Sequence, residues 1–117
     1  MSHAEYIDLQ RSRALDAARA IVSGQRSVID GCRYLAGIRF ELELPDLLDD
    51  FNMIVGIESE SDHLPVGDTR KYWAADALQQ KDIEIAEFEN YYRKHAIEAC
   101  AALIPKLEKS CPTIRCS

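Results

Sequence analysis

The strongest constraint on the fold lies in the C-terminal part of the chain. From about Asp76 onward, Leu78, Ile85, Phe88, Tyr92, Ala96, Ala99, Leu103 and Leu107 recur at intervals of three, four and seven residues. On a 3.6-residue turn those positions share one broad face, so the segment reads as a single long amphipathic helix. No strand reading fits a pattern of that period and length. Pro105 lacks an amide hydrogen and clashes one turn back, which predicts a kink or an end near Leu103. A helix so much longer than its neighbours has to act as the spine against which they bury their own apolar faces.

The preceding segments also read as helices. Ser2 with Glu5 three residues on matches a capping box, and an Ala-, Leu- and Arg-rich run follows to Ser23, with Gly24 as its stop. Ser27 caps a second helix carrying Val28, Cys32 and Leu35 to about Phe40. The link from Gly24 to Arg26 is short, so the first two helices are antiparallel neighbours. Gly31 and Gly37 lower the second helix's own stability, by roughly 1 kcal/mol each against Ala, and their use is a close approach by another helix. Glu41–Pro45 reads as a connector, with helix resuming at Asp46 as N-cap. Met53–Ile57 fits helix, with a buried strand as the competing assignment. Ser59–Gly67 reads as an ordered loop, and Asp68 or Thr69 caps a short turn bearing Tyr72 and Trp73. The expected architecture is all-α, a single-domain bundle of four to five helices with a long C-terminal helix. It occupies residues 1–108, with 109–117 as a flexible tail.

A chain of 117 residues can bury one core without staples. No apolar run approaches the length of a bilayer span; the longest, Ala99–Ile104, is far too short. Glu5, Asp8, Arg11 and Arg13 interrupt any N-terminal leader pattern, so a cytoplasmic location is the expectation. Of the four cysteines, Cys32 and Cys100 sit in apolar helical surroundings as small hydrophobes, whereas Cys111 and Cys116 lie in the tail, where they could react or pair. No C-x-x-C or zinc-finger spacing is present, and no cofactor or metal is expected.

The net charge of −6 is a local feature. The interval Glu41–Asp62 holds eight acids and no Lys or Arg, while the rest of the chain holds fourteen bases against twelve acids. Such a field attracts a basic partner and repels nucleic acid. Glu58, Glu60 and Asp62 beside His63 form the leading cluster. Its plainest reading is a solvated loop in which Asp62 or His63 caps backbone groups; the functional reading is partner recognition. Carboxylates with an imidazole also suit a divalent ion, but the spacing matches no EF-hand, and no Ser or Cys stands beside His63 as a nucleophile. Tyr72 and Trp73 read first as core anchors and alternatively as contacts for a partner. His95 reads as a helix-packing or boundary residue, since a di-iron Glu-x-x-His pair would need an acid where Tyr92 stands. No catalytic residue is assigned: Gly-rich phosphate loops, H-E-x-x-H and G-x-S-x-G are all absent.

The run Phe51–Trp73, with I-E-S-E-S-D-H-L-P-V-G-D-T-R-K-Y-W at its centre, resembles a segment of small all-helical bacterial proteins of uncharacterised role. These have an acidic S-E-[ST]-D-H-L-P-x-G loop, then Arg and Trp before a long helix. Here Ser61 stands at the Ser/Thr position and Ala74 where a capping Ser is usual. The likeness runs from the first helix to about Leu103 and implies no activity. In build and acidity the chain also resembles bacterial immunity proteins, which block a toxin by binding it. That likeness implies a non-enzymatic module that meets a basic protein, a cognate toxin, through Glu58, Glu60, Asp62, His63, Tyr72 and Trp73. The alternatives are a metal-dependent enzyme using the Glu58, Glu60, Asp62 and His63 cluster, or a homodimer sharing the long helix's stripe.

Overall fold

The computed structural model of the protein describes residues 1–111, and its regular structure is helical, with no strand among the described residues. Helix α1 spans His3–Ser23. Its capping box forms as expected: the Glu5 amide donates to Ser2 Oγ at 3.1 Å, and the Ser2 amide donates to the Glu5 carboxylate at 3.2 Å. Hydrogen bonding by Ser2, its amide first and its side chain second, lowers the Glu5 carboxyl from its ordinary value. Gly24 ends α1 in the left-handed region at φ 82°, where a side chain would be strained.

Helix α2 spans Val28–Ile38. The Asp30 amide donates to Ser27 Oγ at 3.1 Å, as the sequence suggests. The amides of Val28 and Ile29 find a partner that is invisible at that level. Both donate to the carboxylate of Glu89, about sixty residues away, at 2.8 and 3.3 Å. The two glycines of α2 part company. A Cβ on Gly31 would lie 2.4 Å from Ile21 Cδ1 and Cγ1, so α1 and α2 touch through it, whereas Gly37 faces open space.

After α2 the chain turns through Glu43, which takes a left-handed φ of 52°. Arg11 holds this turn: its guanidinium donates to the carbonyls of Leu42 at 2.9 Å and Glu43 at 3.4 Å. Pro45–Phe51 is then a 3-10 helix with Leu44 as its N-cap and Pro45 in its first turn, and it runs directly into α3, Asn52–Glu60. Asp46 therefore caps nothing. Pro's fixed φ starts the turn without a side-chain acceptor. Met53–Ile57 is helical, with Ile54 and Ile57 fully buried. A second 3-10 helix, Gly67–Tyr72, has no side-chain cap; Thr69 donates back to the Val66 carbonyl at 3.0 Å instead.

Helix α4 runs Ala75–Ser110, so neither Pro105 nor the expected tail boundary stops it. The carbonyl that Pro105 leaves without a donor is that of exposed Ala101, where water can satisfy it. Cys116 and the rest of 112–117 lie outside the described residues. The 36 residues of α4 would measure about 54 Å, close to the molecule's 49 Å long axis. α1 packs against α4 more extensively than any other pair of elements. The core draws on all four helices, with Ala18, Ile21, Leu35, Phe51, Ile57 and Leu103 among its fully enclosed members.

The apolar stripe of α4 divides at its midpoint. Ala96, Cys100, Leu103 and Leu107 are buried, but no residue from Ala75 to His95 is. Leu78, Ile85, Phe88 and Tyr92 are half-buried, and His95 is exposed rather than packed. Tyr72 and Trp73 are not core anchors: they are 80% and 39% exposed, and Lys71 Nζ sits 5.2 Å from the Tyr72 ring centre. The cause is reach. The three shorter helices cover the C-terminal half of α4, and the chain has too little left to enclose the other half.

Candidate functional site

The segment singled out by its acidity leaves α3 through a tight turn. Ser61 is completely buried; its amide donates to the Ile57 carbonyl at 3.0 Å and its hydroxyl to the Glu58 carbonyl at 3.1 Å. Arg33, reaching across from α2, donates through its guanidinium to the carbonyl of Ser61 and, at 3.2 Å, to that of Leu64. The turn's backbone is thus held by Ser61 and Arg33, not by Asp62 or His63, whose side chains stay exposed. Leu64 and Pro65 are buried beneath them. Arg33 was not legible as a site residue, since nothing in its own neighbourhood marks it as a clamp for a loop nearly thirty residues on.

Beyond Pro65 the chain is fastened to α4. Arg70 forms a bidentate pair with Asp82, at 2.6 and 3.1 Å, and also donates to the Pro65 carbonyl at 3.3 Å. Hydrogen bonding to Arg70 lowers the Asp82 carboxyl from its ordinary value. This brings the turn alongside α4 and opens a groove between them of about 530 Å³. One wall is Glu60, His63 and Leu64; the other is Glu84, Glu87, Phe88, Tyr91 and Tyr92. The rings touch along the helix, Phe88 and Tyr92 tilted with centroids 4.5 Å apart and Tyr91 and Tyr92 edge to face at 4.8 Å.

No family model, curated protein or solved structure matches this chain. The geometry therefore has to speak for the site. Of the cluster read from the sequence, Glu60 and His63 line the groove; Glu58, half-buried, and Asp62, exposed, do not. Tyr72 and Trp73 belong to the neighbouring 3-10 turn and do not line it. Glu84 and Glu87 take their place, with the aromatic rows of α4. Sequence reading missed both acids because they lie outside the base-free segment, between Lys81 and Arg93. Their spacing of three residues on a helix was the available signal.

The remaining acids of the segment are partly spoken for. Glu41 accepts from the Tyr6 hydroxyl at 2.8 Å, Glu43 meets His3 at 2.8 Å, and Asp50 pairs with Lys106 at 2.9 Å. In the groove, Glu84 pairs with Lys81 at 3.1 Å, while Glu60 and Glu87 make no ion pair among the described residues. Among those residues no three His, Cys, Asp or Glu side chains gather into a group able to hold a metal ion. No described helix is long and apolar enough to cross a membrane. The groove brings carboxylates and aromatic rings together in one lining, a combination suited to holding a cationic side chain.

Proposed function

We propose that this protein is a non-enzymatic binding module, an immunity-type inhibitor that neutralises a bacterial toxin by presenting an acidic surface to a basic face of it. The observation that carries this reading is the groove itself, which Glu60, Glu84 and Glu87 line together with exposed Tyr91 and half-buried Phe88 and Tyr92. Carboxylates of one sign raise the encounter rate with a basic protein, and desolvated aromatic anchors slow its departure. In this reading Glu58, Asp62, Tyr72 and Trp73, which do not line the groove, belong to the wider contact surface.

The test is capture and rescue. Wild type and the E60Q/E84Q/E87Q variant are compared for retention of a basic protein at low and high salt. The captured protein is then co-expressed with each to score growth. The expected result is one stoichiometric basic partner, released by salt, toxic alone and neutralised only by wild type. A partner held equally by the variant, or without effect on growth, removes the acidic surface from the function. A second reading, a homodimer, draws on the unburied half of α4, where Ile83 and Tyr91 are 56% and 70% exposed. Sedimentation of the isolated protein separates the two readings.

A further inference from the structure

The acidic groove does not end at Tyr92. A second hollow of about 480 Å³ adjoins it, lined by Asn52, Met53, Gly56, Ile57, Ser59 and again Glu60 and Tyr92. Glu60 and Tyr92 line both, so the two hollows adjoin at that pair and together make a shallow channel along the seam between α3 and α4. Its ends differ in chemistry. Beyond the shared pair, the far end has no charged residue and exposes Met53, a side chain that moulds itself to varied apolar shapes. The near end carries three glutamates, one histidine and the Phe88, Tyr91 and Tyr92 rings.

Gly56 belongs to the lining of the far end. It is an exposed helical position where a Cβ would meet nothing within 4 Å. Neither the backbone conformation nor internal packing demands glycine there, and Ala would favour the helix by about 1 kcal/mol. What glycine does supply is a bare floor. It lets a ligand lie directly on the α3 backbone.

We infer that this channel is the docking site for a basic amphipathic helix of the partner protein, with an apolar side chain seated over Gly56 and Met53 and an Arg or Lys over Tyr91 between Glu60, Glu84 and Glu87. The inference rests on the binding-module reading and names the segment that such a partner offers. A helix laid in a groove presents anchors one and two turns apart, which matches a channel whose apolar and acidic ends lie one after the other. Charge decides against a second copy of this chain as the occupant. A two-fold contact through the channel would set Glu60, Glu84 and Glu87 either against their own counterparts or against the other copy's far end, which offers no base to pair with them, in a protein of net charge −6.

The test titrates the full-length, 15N-labelled protein with three short synthetic helices: one with Leu one turn before paired Arg, one with Glu in place of Arg, and one with Ala in place of Leu. Each is repeated on Gly56→Leu, which fills the floor without touching an acid and whose thermal midpoint should not fall. The expected result is saturable binding of the Leu/Arg helix, with amide shifts at Met53, Gly56, Glu60 and Tyr92. Affinity should fall about tenfold or more for each altered helix and for Gly56→Leu. Equal affinity for Gly56→Leu, or shifts confined to Asp46 and Asp49, would overturn the channel assignment. If the Leu/Arg helix still bound such an outlying acidic surface in a salt-dependent way, the basic-partner reading would stand alone. No binding of any helix at low salt would count against both. Concentration-dependent dimerisation abolished by Gly56→Leu would make a second copy the occupant and refute the proposal.

Discussion

Gly31 and Gly37 sit in one helix, six residues apart, and the structure assigns them opposite responses to the same substitution. Helix propensity alone favours Ala over Gly by about 1 kcal/mol at either site. At Gly37 nothing stands in the way, so Gly37→Ala should raise stability by about 0.5–1 kcal/mol. At Gly31 the new methyl would lie 2.4 Å from two carbons of Ile21, itself 1% exposed. Overpacking of that kind costs about 1–3 kcal/mol, leaving Gly31→Ala less stable than wild type by about 1 kcal/mol after the propensity gain. The two variants should therefore differ by about 2 kcal/mol, or about 8 °C in midpoint for a domain of this length. Urea titrations with an unchanged slope measure it directly. A double-mutant cycle supplies the cause. Ile21→Ala alone should lose about 2–5 kcal/mol, but in that background Gly31→Ala should become stabilising, a coupling of about 2 kcal/mol. Additive losses in the cycle, or equal shifts at the two glycines, would refute the close contact between α1 and α2.

Three further outcomes follow from particular contacts. Glu89→Ala removes a carboxylate from two first-turn amides of α2 and should cost about 1–2 kcal/mol, with Glu89→Gln intermediate; a loss under about 0.5 kcal/mol would mean that water caps α2 equally well. Arg33→Ala should speed hydrogen exchange at Leu64, whose amide donates to the Ser61 carbonyl, because one guanidinium nitrogen holds the carbonyls of both Ser61 and Leu64; unchanged exchange there would mean that the turn holds without Arg33. Burial pushes Cys32 up to about 12 and Cys100 up to about 11, so both thiols should stay silent toward a disulfide reagent in the folded protein at neutral pH. Because those folded values lie above the ordinary 9.0, the associated stability is complete below pH 9 and fades as pH climbs toward 11–12, which alkaline denaturation can follow.

Acid acts at the other end of the scale. Arg70 holds Asp82 below its ordinary 3.8, so that pair contributes above this pH and is lost as pH falls through the lower folded value. Release of the Gly67–Tyr72 turn should then alter Trp73 emission at acid pH, and Asp82→Asn should show the same emission at neutral pH. A Trp73 signal that is flat through the acid range would detach the turn's order from this pair.

How much of this was legible beforehand depended on sequence distance. Helices α1 and α2 could be read almost to the residue, because Ser2, Glu5, Gly24 and Ser27 act on amides and carbonyls within one turn of themselves. The first 3-10 helix was misread, since an Asp following Pro looks like a cap whether or not the chain uses it. Of the two outcomes expected at Pro105, a kink or an end, the end does not occur, because the cost of Pro depends on whether the carbonyl it orphans faces water. Of the six candidate binding residues, Glu60 and His63 reach the groove. Glu84 and Glu87 were passed over because a run of one charge stands out in a sequence, while two acids on a mixed helix do not.

The sequence by itself determined the helices, their caps and the locally concentrated negative charge, because these depend on residues one to four positions apart. Only the tertiary structure decided that the long helix is buried over just half its length, that Arg33 and Glu89 hold elements far from them in sequence, and that acids from two separate segments share one groove. Each of those depends on which helix faces land against one another, and a face of α4 reads the same in the sequence whether it meets a core or water.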